Sequence, residues 1–383
     1  MRAPSTTEKK GRASERRRSS GIVLAIVLVL IFVLITAVYA FQRRAIIDTS
    51  IATNRLRGSE AEALARGGLR IGEAIVFLVR LKQEAGAAGS APEGLGDPTS
   101  GALGALAPDE LWARIGDFPL QFEGGQTLRI TIEDEGARLN LNALVPQAGD
   151  LSALDDEEAE EYLVQVLEYI IGGLETSSEG TRYDPRAISR NLLDYMDDDD
   201  TARNGRDEDS YYRDQDPPYR ARNGPFLSFA EIGLVEGVDP QLLKAMRDYL
   251  TVHPIGGSQG INLNRAEPWV LSLVYSGTSG DRRLIREQTV RDIWSLRQNA
   301  KLICTESSSD PLRCVALGEV GNGELAEGSI YPETVLPAKP SVFRIVAEAQ
   351  VGNLTRRMEA IYDTRPIAGP QLLSWRRLRG PGS

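Results

Sequence analysis

Residues 22–41 read IVLAIVLVLIFVLITAVYAF, a run without a single charged side chain. At 1.5 Å of rise per residue, about twenty such residues cross the hydrocarbon core of a bilayer as one helix. Arg16, Arg17 and Arg18 precede the run, with Lys9, Lys10 and Arg12 behind them. Because Lys/Arg are held in excess on the cytoplasmic side, the short N-terminus is predicted inside and the rest of the chain outside. The run is longer than a signal-peptide core and lacks an Ala-x-Ala site with a turn after it. It leads instead through Gln42, Arg43 and Arg44 into more helix, which predicts a retained anchor.

The basic segment ends in Ser19, Ser20 and Gly21, and the apolar run starts abruptly at Ile22. This looks like a prepilin-type leader, residues 1–21, cut between Gly21 and Ile22 by a membrane peptidase. An ordinary signal anchor with a basic tail is the alternative on this feature alone.

Beyond the span, apolar residues keep helical spacing to residue 84 without a proline (Ile46, Ile51, Leu56, Leu64, Leu69, Ile75, Leu78), predicting one helix over 22–84. Gly67, Gly68 and Gly72 weaken it locally or let a sheet come close. Residues 85–108 are rich in Gly, Ala, Ser and Pro and read as a loop. In QTLRITIED, 126–134, Leu128, Ile130 and Ile132 alternate with polar residues as in a half-buried strand. Helical patterns follow at 155–174, 185–196, 228–250, 266–275 and 286–299, with Ser228 placed to cap ahead of Glu231. VFRIVAEAQV, Gly352-Asn353 and LTRRMEAIYD form a β-hairpin over 342–363. The basic, Gly/Pro-rich 364–383 reads as a flexible tail.

This order gives an α+β fold, a long N-terminal helix packed on an antiparallel sheet with a large inserted all-helical domain; it resembles a pilin-like arrangement whose insert is of helix-hairpin-helix or SAM-like type. The segments are the leader at 1–21, the long helix at 22–84, and a loop with the first sheet strands at 85–141. The inserted domain takes 142–300, the closing strands 301–363 and the tail 364–383.

The formal charge is −10; residues 1–21 hold seven Lys/Arg against Glu8 and Glu15, which leaves −15 for the remainder. So acidic an outer portion is a poor partner for nucleic acid or anionic lipid. Cys304 and Cys314, the two cysteines, read as a disulfide in an oxidising compartment. His253, the single histidine, cannot make a His-rich zinc site. Neither a Gly-x-Ser-x-Gly elbow nor a Walker loop occurs, and catalysis is not predicted.

EAEALARGGLRIGEAI, IEDEGARLNLN, LLDYMDDDD with DEDSYY, PYRARNGPFLSFAEIGLVEGV, INLNRAEPWVL and VFRIVAEAQVGN occur in that order. Together they resemble the K-type minor pseudopilins of type II secretion systems. The resemblance implies a subunit that starts and caps the tip of a periplasmic pseudopilus driving export of folded proteins. Its implied partners are other minor pseudopilins, the major pseudopilin, prepilin peptidase, the inner-membrane secretion platform and membrane lipid, with no nucleic acid. Most pilins carry a glutamate at the fifth mature position, which here is Ile26. A carboxylate in lipid is costly without a partner, so a subunit lacking it suits a tip with no subunit beyond.

The acidic loop is the candidate ligand site. Asp194, Asp197, Asp198, Asp199, Asp200, Asp207, Glu208 and Asp209 crowd hard oxygens of the kind that suit Ca²⁺. Asp197, Asp199, Asp200, Asp207, Glu208 and Asp209 are the predicted metal ligands. An EF-hand does not fit: with Gly205 at the sixth position, Ala202 stands third and Tyr211 twelfth. A solvated acidic run without an ion is the alternative. The helix-hairpin-helix likeness raises a rival function, a membrane-anchored periplasmic DNA-binding protein of the competence type. Its hairpin tips here, 235–239 and 276–281, carry acids where phosphate contacts need Lys/Arg.

Overall fold

The computed structural model describes residues 13–87, 111–145, 155–175, 183–256, 260–305, 313–326 and 328–379. The leader before residue 13 and most of the Gly/Ala-rich stretch lie outside them. Helix α1, Ala13–Ala87, is unbroken, and its 75 residues span about 110 Å. Its apolar lower half is uncovered, from Ile22 through Phe41. Its upper half buries Ala61, Ala65, Leu69 and Val76, a stripe at helical spacing that packs on a sheet.

After α1 come the short helix α2, Leu111–Arg114, and strands β1, Leu120–Gln121, and β2, Thr127–Asp134. The head unit holds β3, Leu139–Asn140; α3, Asp156–Glu175; α4, Pro185–Met196; α5, Asp209–Arg213; α6, Pro240–Met246; and β4, Leu250–Thr251. It continues with α7, Pro268–Leu271; β5, Tyr275–Ser276; β6, Arg283–Leu284; α8, Glu287–Gln298; β7, Leu302–Cys304; β8, Cys314–Ala316; and β9, Ile330–Tyr331. The chain then returns to the sheet with β10, Val342–Val351, β11, Leu354–Asp363, and β12, Gln371–Leu378.

The sheet runs β1-β2-β10-β11-β12, antiparallel throughout. Leu128, Ile130, Ile132, Phe343, Ile345 and Met358 face α1, so alternation along each strand makes a single buried face. Small partners allow a close approach. A methyl on Gly72 would fall 2.6 Å from Ile345 Cγ2, and one on Gly68 would fall 2.8 Å from Leu128 Cδ1. The β10–β11 hairpin closes on Val351 opposite Leu354, with Gly352 at φ +60° in the left-handed region that its two-residue turn requires.

Several sequence expectations shift. The predicted flexible tail is in part a strand: β12 pairs with β11, and Arg376 and Arg377 bind Glu359 and Glu62. The boundaries of the inserted unit widen. Leu139 and Leu141 before it, and Ile303, Leu317, Val320, Tyr331 and Leu336 after it, belong to the head core. The closing sheet strands therefore begin at Val342. The head also carries short strand pairs beside its helices, β3 with β4, β5 with β6 and β9, and β7 with β8. The 228–250 pattern resolves into a 3-10 turn, Phe229–Leu234, followed by α6, and of 266–275 only Pro268–Leu271 is helical. Ser228 makes no side-chain cap bond; Glu231 instead accepts from the Leu227 amide at 2.8 Å.

Head and sheet are joined by polar contacts. Asn262 Nδ2 donates to Asp134 Oδ2 at 2.8 Å. Arg365 donates to the carbonyls of Ile255 and Gly256 and pairs with Asp363. Arg80 on α1 donates to the Pro366 carbonyl, so the β11–β12 turn ties helix, sheet and head together. Cys304 and Cys314 form a disulfide beside the β7–β8 pair.

Candidate functional site

Asp184 caps α4 through the amides of Arg186 and Ala187, with Pro185 preset for the first turn. The helix buries Ile188, Leu192, Leu193 and Met196 and stops at Asp197. Two carboxylates thus sit at its C-terminal end, Asp194 in the last turn and Asp197 as cap. There the helix dipole is negative and anions are disfavoured. Underneath, Tyr195 stacks on Phe226 with centroids 5.3 Å apart and meets Tyr212 edge-on. This aromatic floor holds the end of α4 against the start of α5.

The loop between these helices folds back on itself. One carboxylate oxygen each from Asp197, Asp199 and Glu208 lies within 4.8 Å of the other two. Oxygens ligating one Ca²⁺ at 2.3–2.6 Å are at most about 5 Å apart, so this spacing fits a single such ion. The polar bookkeeping supports the fit. Both oxygens of Glu208, and Oδ1 of Asp194 and of Asp197, are buried without a hydrogen-bond partner. Unsatisfied buried carboxylates are costly, and a divalent cation would satisfy those of Asp197 and Glu208 together.

The charges respond as expected of crowded acids. Burial, reinforced by Asp197, Asp194 and Asp199, pushes Glu208 up to about 8. Burial pushes Asp197 to about 7 and Asp194 to about 6, although Arg203 opposes both shifts. Arg203 lies 3.4 Å from Asp197 and 3.5 Å from Asp194. It supplies part of the missing positive charge and was not foreseen from the sequence.

The other predicted ligands are engaged elsewhere. Asp200 accepts from Asn223 at 3.1 Å. Asp207 pairs with Arg213. Asp209 Oδ1 accepts from the Ala221 amide at 3.0 Å. Of the six, three converge and three brace the surrounding loop. Gly21 and Ile22 both lie within α1.

The two hairpin tips do not present an open phosphate site. In the second, the Gly280 amide, the Ser279 hydroxyl and the Arg282 guanidinium all donate to Glu158 of α3, at 2.5, 3.1 and 2.8 Å. In the first, Asp239 caps α6 and Glu236 pairs with Arg206. At the second tip an internal carboxylate thus takes the amide, hydroxyl and guanidinium donors that a backbone phosphate would need. His253 is buried at 2 % exposure, and burial pushes it below the usual imidazole range.

Residues 137–255, the first part of this head with its acidic loop, match the family model described as type II secretion system (T2SS), protein K. The resemblance to type II secretion protein K holds. A protein of Escherichia coli (strain K12) named as a type II secretion system protein K is 27 % identical over 180 residues, covering 46 % of this chain. The chain spans about half of that relative's length, 52 %. Among solved structures, the GspK-GspI-GspJ complex from the type 2 secretion system of enterotoxigenic Escherichia coli contains a similar chain. That match has a TM-score of 0.53 at 18 % identity, covering 86 % of this chain and 99 % of that one. It shares the fold: a long N-terminal helix, an antiparallel sheet and further helices.

Proposed function

We propose that this chain is a minor pseudopilin that initiates and caps the tip of the periplasmic pseudopilus through which a type II system exports folded proteins. In this reading prepilin peptidase cuts after Gly21, leaving the chain single-pass in the inner membrane with its head in the periplasm. Its work is assembly rather than catalysis. Calcium at Asp197, Asp199 and Glu208 would neutralise their repulsion and fix the loop, a structural role.

The observation that carries the proposal is the uncovered apolar rod. Ile26 and Leu30 are 55 % and 57 % exposed on a helix that runs unbroken into the sheet. Such a surface is stable in lipid, or against other apolar helices once drawn from the bilayer. Ile26 and the bulk of the head further favour the tip, because neither suits a position with subunits stacked above it. The complex of the similar solved chain with GspI and GspJ points to sibling minor pseudopilins as neighbours.

Cross-linking tests this directly. No free cysteine exists among the described residues, so Leu30→Cys introduces a single reactive site. In cells carrying cysteines in sibling pseudopilin helices, adducts of this chain with a sibling are expected. Only monomer and self-adducts would contradict the reading.

A further inference from the structure

The two edges of the main sheet are finished differently. One is closed by β1, only two residues long, and by Trp112 of α2, buried edge-on against Phe343 with ring centroids 5.1 Å apart. The other is β12, which pairs with β11 on one side and with no strand among the described residues on the other. Its outward N–H and C=O groups are a template for a further strand. Proline and outward charges ordinarily guard such an edge. Residues 371–378 contain no proline, and the two charges, Arg376 and Arg377, are turned onto Glu359 and Glu62 of this chain. One irregularity, where the register passes over Leu373, leaves 374–378 regular.

The strand runs beside α1. Arg80 donates to the Pro366 carbonyl at the turn before it, the Tyr362 hydroxyl donates to Glu73 at 3.3 Å, and Arg377 reaches Glu62 near its end. Register sets Trp375 opposite Ala360 and Leu372 opposite Tyr362. Ala360 and Tyr362 belong to the core against α1, so Trp375 and Leu372 stand on the α1 side of the sheet. They are 53 % and 46 % exposed, and Phe77 and Leu81 of α1 are exposed as well. An apolar shelf thus lies under an open edge.

Lipid does not reach this shelf: Glu62 is twenty-one residues past Phe41, about 30 Å further along the helix. A second copy would add its β12 antiparallel, about a two-fold axis normal to the sheet. Its α1 would then point the opposite way, and both apolar rods could not enter one bilayer. A different subunit anchored alongside in the same bilayer meets neither obstacle. The shelf lies on the flank of α1, above the rod on the same helix, where such a neighbour stands.

We propose that β12 receives an extended strand of a sibling minor pseudopilin, paired main chain to main chain, with alternate apolar side chains laid on Leu372 and Trp375. The proposal rests on the tip reading for the identity of the partner and adds the surface that holds it.

The test places photoreactive benzoylphenylalanine at Ser374, in the middle of the edge, in the full chain in secreting cells. Adducts with a sibling pseudopilin are expected, mapped by mass spectrometry to a segment of alternating apolar residues. In the complex purified in non-ionic detergent, amides of 371–378 should exchange about tenfold more slowly than in the chain alone. Leu372→Lys/Trp375→Lys removes two apolar contacts and guards the edge, and should lower sibling recovery about tenfold. Both side chains are half exposed, and an unchanged melting midpoint verifies the fold; the cross-link and the exchange use the native shelf and do not depend on this variant. Adducts confined to a second copy of this chain, unchanged exchange at 371–378, or recovery indifferent to the two lysines would overturn the proposal. Sibling adducts at Leu30→Cys with none at position 374 would strike this proposal alone, whereas adducts at neither would strike the tip reading with it.

Discussion

Full-length protein in saturating calcium is expected to melt about 5–10 °C above the same protein in chelator. An ion that binds only the native state at a hundred times its dissociation constant adds about 2.7 kcal/mol. For a unit of roughly 200 residues, each kcal/mol moves the midpoint about 2–4 °C. The gain should vanish in an Asp197→Asn/Glu208→Gln variant, whose chelated form should melt no lower than the chelated native protein, because the carboxylates it loses repel one another. The pH dependence follows from the same groups. Glu208, Asp197 and Asp194 are raised in the folded protein, to about 8, 7 and 6. Without an ion, their contribution to stability is fully present below the ordinary carboxylate range and is lost as pH rises through those values. Protons and calcium compete for the same oxygens, so the difference between calcium and chelator should be widest near pH 8 and close towards pH 5. A midpoint indifferent to chelator at pH 8 would remove the site.

Replacing Gly72 with valine should destabilise the helix–sheet unit by about 2–3 kcal/mol, within the range for overpacking a filled core. Even its Cβ would meet Ile345 Cγ2 at 2.6 Å, and Ile345 is fully buried with no direction in which to retreat. Gly67 is five residues earlier on the same helix, and a Cβ there has nothing within 4 Å. Gly67→Ala should therefore stabilise by up to about 1 kcal/mol through helix propensity alone. Chemical denaturation of the two variants in the same detergent checks the contrast. Equal effects would mean that the close approach of β10 to α1 is not what fixes glycine at position 72.

The parts of this fold that could be read from the sequence are those whose signal is local. Residues 22–84 carried helical periodicity with no break, Leu128, Ile130 and Ile132 carried a strand alternation, and Gly352-Asn353 marked a hairpin. What escaped depends on distant partners. The strand at Gln371–Leu378 is basic and flanked by Gly/Pro; it exists because β11 lies beside it and because Glu359 and Glu62 meet Arg376 and Arg377. The head boundaries escaped for the same reason, since Leu139 and Tyr331 read as strand residues of either unit until their neighbours are known. In the acidic loop the density of carboxylates was plain, but not which ones converge. Arg213, Asn223 and the Ala221 amide draw Asp207, Asp200 and Asp209 aside, and only contacts across the folded loop decide that. Glu158 at the second hairpin tip is more than a hundred residues from its donors, and no spacing rule would have paired them.

The central claim is that residues 22–41 are a retained, uncovered rod, freed at its inner end, that carries the head into a filament. The most direct measurement is the N-terminal residue of the protein extracted from membranes of secreting cells. The account predicts a mature chain beginning at Ile22. A chain still beginning at Met1 in cells that export normally would contradict it.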